Sequence, residues 1–196
     1  MSLSSSELEK MIRESFLELP CISDEELCSV GLDDASSANE GLDLFRNRRR
    51  YELLGHVEWI DFGVLYRLTP YAIWYFAPTF LLLAVRNLDV YEFFELTQPF
   101  RFPDHMLEEF GLDPYSSLES LDDACKRLGV RDQIDAVRVD NDAKLASNAL
   151  GLGWFARQAS FYSKDERAAV AHFLEWLGER WPGVPSVVLA RRHFWS

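Results

Sequence analysis

The densest grouping of ligand-type side chains in this sequence is Asp104-His105-x-x-Glu108-Glu109. On a helix, spacings of three and four residues bring His105 and one of those glutamates to the same face, the arrangement of a metal-ligand pair or of a general acid–base pair. No second histidine lies nearby, and His56, His172 and His193 lack the glutamate three residues earlier that a di-iron bundle would require. A solvated acidic helix face accounts for the same residues, so no metal, no cofactor and no catalytic residue is expected. His105 with Glu109 remains the seed of an alternative enzyme reading. The phosphate cradle G-x-x-x-x-G-K-[ST], the dinucleotide turn G-x-G-x-x-G and the nucleophile elbow G-x-S-x-G are all absent, and Gly151-Leu-Gly153 is too short to replace any of them. Cys21, Cys28 and Cys125 are odd in number with no C-x-x-C spacing, which fits reduced thiols better than a disulfide framework or a zinc site.

Charge is the stronger signal. The formal net charge is −12 over 196 residues, and the sequence pI is about 4.8. Binding to a nucleic-acid backbone or an anionic membrane needs a positive field, so neither is expected, and a basic protein partner fits better. The acids concentrate between Glu7 and Asp43. Within that arm Asp24, Glu25, Glu26, Asp33 and Asp34 form one candidate partner-binding surface, and Asp122, Asp123, Asp140 and Asp142 form a second. Among the six tryptophans, Trp154 in GLGWF stands between polar segments and is the candidate interface anchor. Two basic runs reverse the sign: Arg46, Arg48, Arg49 and Arg50 with Tyr51, and Arg191, Arg192 and His193 with Trp195. Internal pairing with the acidic arm explains them more simply than phosphate binding does.

The elements that must position these residues are helical. Leu8, Met11, Ile12, Phe16 and Leu19 recur at three- and four-residue spacing behind a serine run and before Pro20, which predicts an amphipathic helix over 6–19. Ser23 with Glu26, Ser37 with Glu40 and Ser163 with Glu166 each have the spacing of a capping box. Thr69 and Pro70 announce a buried helix through Tyr71–Val85, with a kink or restart expected at Pro78. Short helices are expected over 90–96, 104–110 and 116–128, whereas 131–150 is weakly periodic. Val170, Phe173, Leu174, Leu177 and Trp181 mark the clearest amphipathic helix, ended by Pro182. A terminal helix over 185–195 is expected to dock Val188, Leu189 and Phe194 or Trp195. The expectation is a mainly α, single-domain compact helical bundle spanning 1–196. Residues 51–66 are left open between a short strand pair and irregular packing. No apolar run reaches the length of a membrane span, and the opening residues carry no secretory signal pattern, so cytoplasmic residence is expected.

The stretch LTPYAIWYFAPTFLLLA at 68–84 resembles the core of a bacterial family of small helical proteins of unknown function, through Leu68, Thr69, Pro70, Tyr75 and Pro78. IRESFLELP and FYSKDERAAVAHFLEWL resemble that family's opening and closing helices, and 103–155 reads as an insertion particular to this branch. The resemblance implies a helical fold and supplies no catalytic residues. The motif residues themselves read as backbone punctuation.

Size, acidity and the lack of catalytic motifs together lead to a protein-binding module, of the cytoplasmic immunity or antitoxin kind, that neutralises a basic bacterial toxin. Two other classes stand beside it: an enzyme of unrecognised type using a histidine and a carboxylate, and an acidic mimic of nucleic acid that inhibits a DNA- or RNA-handling protein.

Overall fold

The computed structural model describes residues 3–28, 40–56, 62–87, 96–101, 157–182, 184–193 and 195. Two compact units are present, one formed by Ser5–Pro99 and the other by Met1–Ser4 with Phe100–Ser196. The protein is mainly α, and the described residues contain no strand.

In the Ser5–Pro99 unit the helices are α1 (Ser5–Ser15), α2 (Asp24–Leu27), α3 (Glu40–Asp43) and α4 (Pro70–Arg86). Short 3-10 turns run over Glu52–Gly55 and Phe62–Arg67. The strand-pair alternative for 51–66 is therefore not realised in the described part of that stretch, which winds instead. The core is built on α4. From Tyr75 to Val85 every side chain of this helix is buried, so it is apolar all round and has to be covered on every side. α1 covers one side with Leu8 and Ile12, both fully buried. Arg86 then ties the two helices together through Glu9, its Nη2 lying 2.7 Å and its Nε 3.1 Å from one carboxylate oxygen. That oxygen raises the Arg86 pKa further above its ordinary value, outweighing the opposing effect of partial burial. Phe45 packs edge-on against Phe76 at 5.2 Å and against Phe80 at 6.2 Å.

The punctuation expected at 69–70 is present. Thr69 is the N-cap of α4, its hydroxyl accepting from the Ala72 N–H at 3.0 Å, and Pro70 takes the first helical position, where a missing N–H is harmless. Pro78 does not restart the helix: α4 continues through it, with the ring buried. The ring deprives one backbone carbonyl of its helical partner, a loss that burial of the surrounding apolar side chains outweighs.

α1 ends four residues earlier than its apolar spacing predicts. After Ser15 only Phe16 still donates helically, to the Ile12 carbonyl at 3.1 Å. The carbonyls beyond it are taken by side chains from elsewhere in the unit. Tyr51 Oη donates to the Phe16 carbonyl at 2.7 Å, Arg50 Nη1 to that of Leu17 at 2.8 Å, and Tyr75 Oη lies 3.4 Å from that of Leu19. Pro20 also turns its predecessor away from helical geometry.

In the other unit, α5 (Lys164–Arg180) and α6 (Pro185–His193) pack together behind a helical turn at 157–160. The Ser163–Glu166 capping box is formed: the Ser163 N–H donates to the Glu166 carboxylate at 2.7 Å, and Ser163 Oγ accepts from the Glu166 N–H at 3.3 Å. Val170, Phe173, Leu174 and Leu177 are buried as their spacing predicts, and Trp176 joins them. At the terminus Val187, Ala190 and Trp195 enter the core, whereas Val188 is only half-buried. Trp195 is fixed by its Nε1, which donates to the Phe100 carbonyl at 2.9 Å, and by an edge contact with Tyr162 at 4.9 Å.

Candidate interaction surface

The segment from Phe16 to Cys28 leads the acidic arm and is held from beneath. Its ends are tied to the opening turns of α4. Tyr75 Oη lies 3.4 Å from the carbonyls of both Leu19 and Arg48, and the Thr69 hydroxyl donates to the Glu26 carbonyl while the Thr69 N–H donates to that of Leu27 at 3.0 Å. An isolated antiparallel bridge between Cys28 and Leu68 extends the seam. Thr69 thus caps α4 and closes α2 with a single side chain.

Beneath the segment lies Arg50, 1% exposed. Its guanidinium carbon sits 5.2 Å from the ring centres of Trp74 and Tyr75 and 5.8 Å from that of Phe16. Aromatic faces are suited to hold a cation away from water. The Arg50 carbonyl accepts from the buried Thr79 hydroxyl. Burial pushes the Tyr75 phenol up to about 12, assisted by the neighbouring Cys21 and opposed by Arg50, so the hydroxyl stays protonated as a donor. Above this floor the polar side chains face outward: Glu14, Glu18, Asp24, Glu25 and Glu26 are exposed, and so is the free Cys21. Leu17 stands among them, 73% exposed.

The structure divides the three acids of α2 by role. Glu26 closes the Ser23 capping box, accepting from the Ser23 N–H at 2.9 Å and from its hydroxyl at 3.0 Å. Asp24 lies 3.8 Å from Arg46, whose main partner is Asp43 at 2.7 Å. Glu25 takes part in neither arrangement. Of the first basic run, Arg46 pairs with Asp43 and Asp24 of the acidic arm and Arg50 is buried against aromatic rings and the Leu17 carbonyl, whereas Arg49 is exposed. In the second run Arg191 pairs with Glu175 at 2.8 Å, and Trp195 is core.

A groove of about 850 Å³ runs between α5 and α6. Leu174, Val187 and Trp195 line its apolar part, while His172, Glu175, Glu179 and Arg191 supply its polar edge. His172 Nδ1 lies 3.6 Å from one Glu175 oxygen and Arg191 Nη2 lies 2.8 Å from the other. Sequence spacing singles out His105 rather than His172. The link from Arg191 to Glu175 crosses between helices, so periodicity within one element could not reveal it.

Among the other sequence-predicted site residues, Asp33, Asp34, Asp122, Asp123, Asp140, Asp142 and Trp154 lie outside the described residues, as do Asp104, His105, Glu108 and Glu109. The expected helices over 104–110 and 116–128, the stretch 131–150 and the insertion over 103–155 lie outside them too. No cluster of metal-ligating side chains occurs among the described residues. No helix among them is long and apolar enough to cross a membrane. Comparison with protein-family models, with curated proteins and with solved structures yields no match to this chain.

Proposed function

We propose that this protein is a binding module, a cytoplasmic bacterial protein of the immunity or antitoxin kind that binds a basic toxin and blocks its active site. The observation that carries the reading is the exposed acidic cluster of α2. Asp24, Glu25 and Glu26 stand exposed, while of the neighbouring basic run Arg46 folds back on Asp43 and Asp24, Arg50 is buried and Arg49 is exposed. On a chain of net charge −12, such a surface steers a cationic partner into encounter and disfavours acidic ones. The bacterial assignment draws on the resemblance carried by Leu68, Thr69, Pro70, Tyr75 and Pro78, and cytoplasmic residence on the free thiols of Cys21 and Cys28.

The test is a pull-down of tagged protein from its native host at low and moderate salt, followed by affinity measurements with the retained partner. A single basic protein in stoichiometric amount is expected. Glu25→Lys weakens its binding about tenfold at low salt and less at high salt, because a reversed surface charge acts through a screened field. Thermal stability stays unchanged in that variant, since Glu25 supports no cap. An empty pull-down at low salt refutes the reading.

The groove between α5 and α6 favours a second reading, an acid–base enzyme. Glu175 already accepts from Arg191, so His172 is the group placed to exchange a proton with a substrate held in the groove. A metabolite that raises thermal stability in the wild type but not in His172→Ala would shift the balance to it.

A further inference from the structure

We infer that Leu17 is the anchor of the binding surface and that it seats in an apolar pocket rimmed by lysine and arginine on a basic protein partner. The inference rests on the binding-module reading above and adds the docking residue and the chemistry it meets. Lone exposed leucines are ordinary on protein surfaces, so exposure alone carries nothing. What distinguishes Leu17 is how it is held. Its own carbonyl accepts from Arg50, and those of Phe16 and Leu19 meet Tyr51 and Tyr75, from positions 33 to 56 residues away in the chain. Arg50 is itself buried. Burying a guanidinium is expensive even when it is hydrogen-bonded. Here it fixes the backbone of the one large apolar side chain that stands exposed among the described residues. A side chain presented on a fixed backbone loses little freedom on docking, the property that lets an apolar anchor dominate an interface.

The surroundings set the partner's chemistry. Glu14 and Glu18 flank Leu17 in the chain and are exposed. Tyr75 and Thr69 tie Leu19 and Glu26 to positions six residues apart on α4, about 9 Å along the helix axis. Asp24 and Glu25 are exposed on the same tethered segment. Of the cations nearest in the chain, Arg13 lies over the Tyr51 ring at 5.4 Å, and Lys10 is 3.8 Å from Glu14 with both side chains exposed. An apolar tip within an acidic rim fits an apolar pocket within a basic one.

The experiment uses the full chain as bait in wild-type, Leu17→Ser and Leu17→Met forms against the native host lysate. Affinities for the retained, purified partner and a cross-link from position 17 follow. Because the side chain is exposed, Leu17→Ser leaves the thermal midpoint where it is. The loss of one docked leucine weakens partner binding about 10- to 100-fold, and Leu17→Met restores it to within about threefold. The cross-link lands among apolar residues flanked by lysine or arginine. An affinity unchanged by Leu17→Ser overturns the anchor and leaves the binding-module reading standing. A wild-type bait that retains no partner overturns both. A cross-link to an acidic surface overturns the proposed partner chemistry.

Discussion

Replacing Arg50 by Met tests whether a buried cation holds the interaction segment in place. Met conserves the hydrocarbon stem and most of the volume while removing the charge and all five donors. The Leu17 carbonyl then loses its 2.8 Å charged donor, a loss of about 1.5–3 kcal/mol for a hydrogen bond of this kind. The faces of Trp74 and Tyr75, each 5.2 Å from the guanidinium, lose a cation worth about 0.5–2 kcal/mol. Relief of the desolvation penalty of a buried charge acts in the opposite direction, which leaves an expected destabilisation of about 2–4 kcal/mol. For a chain of this size that lowers the thermal midpoint by roughly 5–15 °C. Chemical denaturation gives the free energy directly, and hydrogen exchange locates the effect in the amides of 16–19, which open more readily once the clamp is gone. Should Arg50→Met prove as stable as the parent, with exchange unaltered at 16–19, the guanidinium does not hold the segment.

Thr69→Val removes the cap of α4 and the donor to the Glu26 carbonyl at constant volume, so a loss of about 1–3 kcal/mol is expected in denaturant titration, with Thr69→Ser near the parent. Alkaline titration reads Tyr75. With its folded pKa raised from 10.0 to about 12 by burial, the unfolded chain ionises first, so this residue's contribution to stability is intact below pH 10 and is lost as pH rises towards 12. Tyr75→Phe removes that part of the alkaline slope, and a slope left unchanged contradicts the assignment. Gly178→Ala is expected to stabilise by about 0.5–1 kcal/mol through helix propensity, because the added Cβ would meet Val187 Cγ1 at 3.6 Å, an ordinary contact. A lowered midpoint for that variant would mean α5 and α6 pack more tightly than this distance implies. Glu26→Lys, carrying the same charge change as Glu25→Lys, should also lose about 0.5–2 kcal/mol, because the Ser23 box opens.

Local rules located most of the helical architecture. The capping boxes at Ser23 and Ser163, the Thr69-Pro70 start and the continuous burial of α4 all follow from residue types within one or two turns. What local rules misjudged was decided by groups distant in the chain. Apolar spacing carries α1 to Leu19, but Tyr51, Arg50 and Tyr75 capture the carbonyls there and the helix stops at Ser15. The exposure of Leu17 agrees with that spacing, which puts it opposite the face of Leu8, Ile12 and Phe16; the clamp on its carbonyl could not be read from its neighbours. At the terminus Trp195 is buried, one of the expected alternatives, while Val187 and Ala190 rather than Val188 enter the core, and the Trp195 indole is held by the distant Phe100 carbonyl. The acids of α2 were legible as a cluster. Their division into a capping residue, a paired residue and a residue engaged in neither required the fold.

The placement of α4 also has a consequence for synthesis. A helix apolar on every side is a hazard to a chain still emerging from the ribosome, where unburied apolar surface invites aggregation. In this protein α1, α2 and the 52–55 turn, which cover α4, all precede it in sequence, with partners as far upstream as Glu9. By the time Pro70–Arg86 leaves the exit tunnel, these segments that receive it have already emerged.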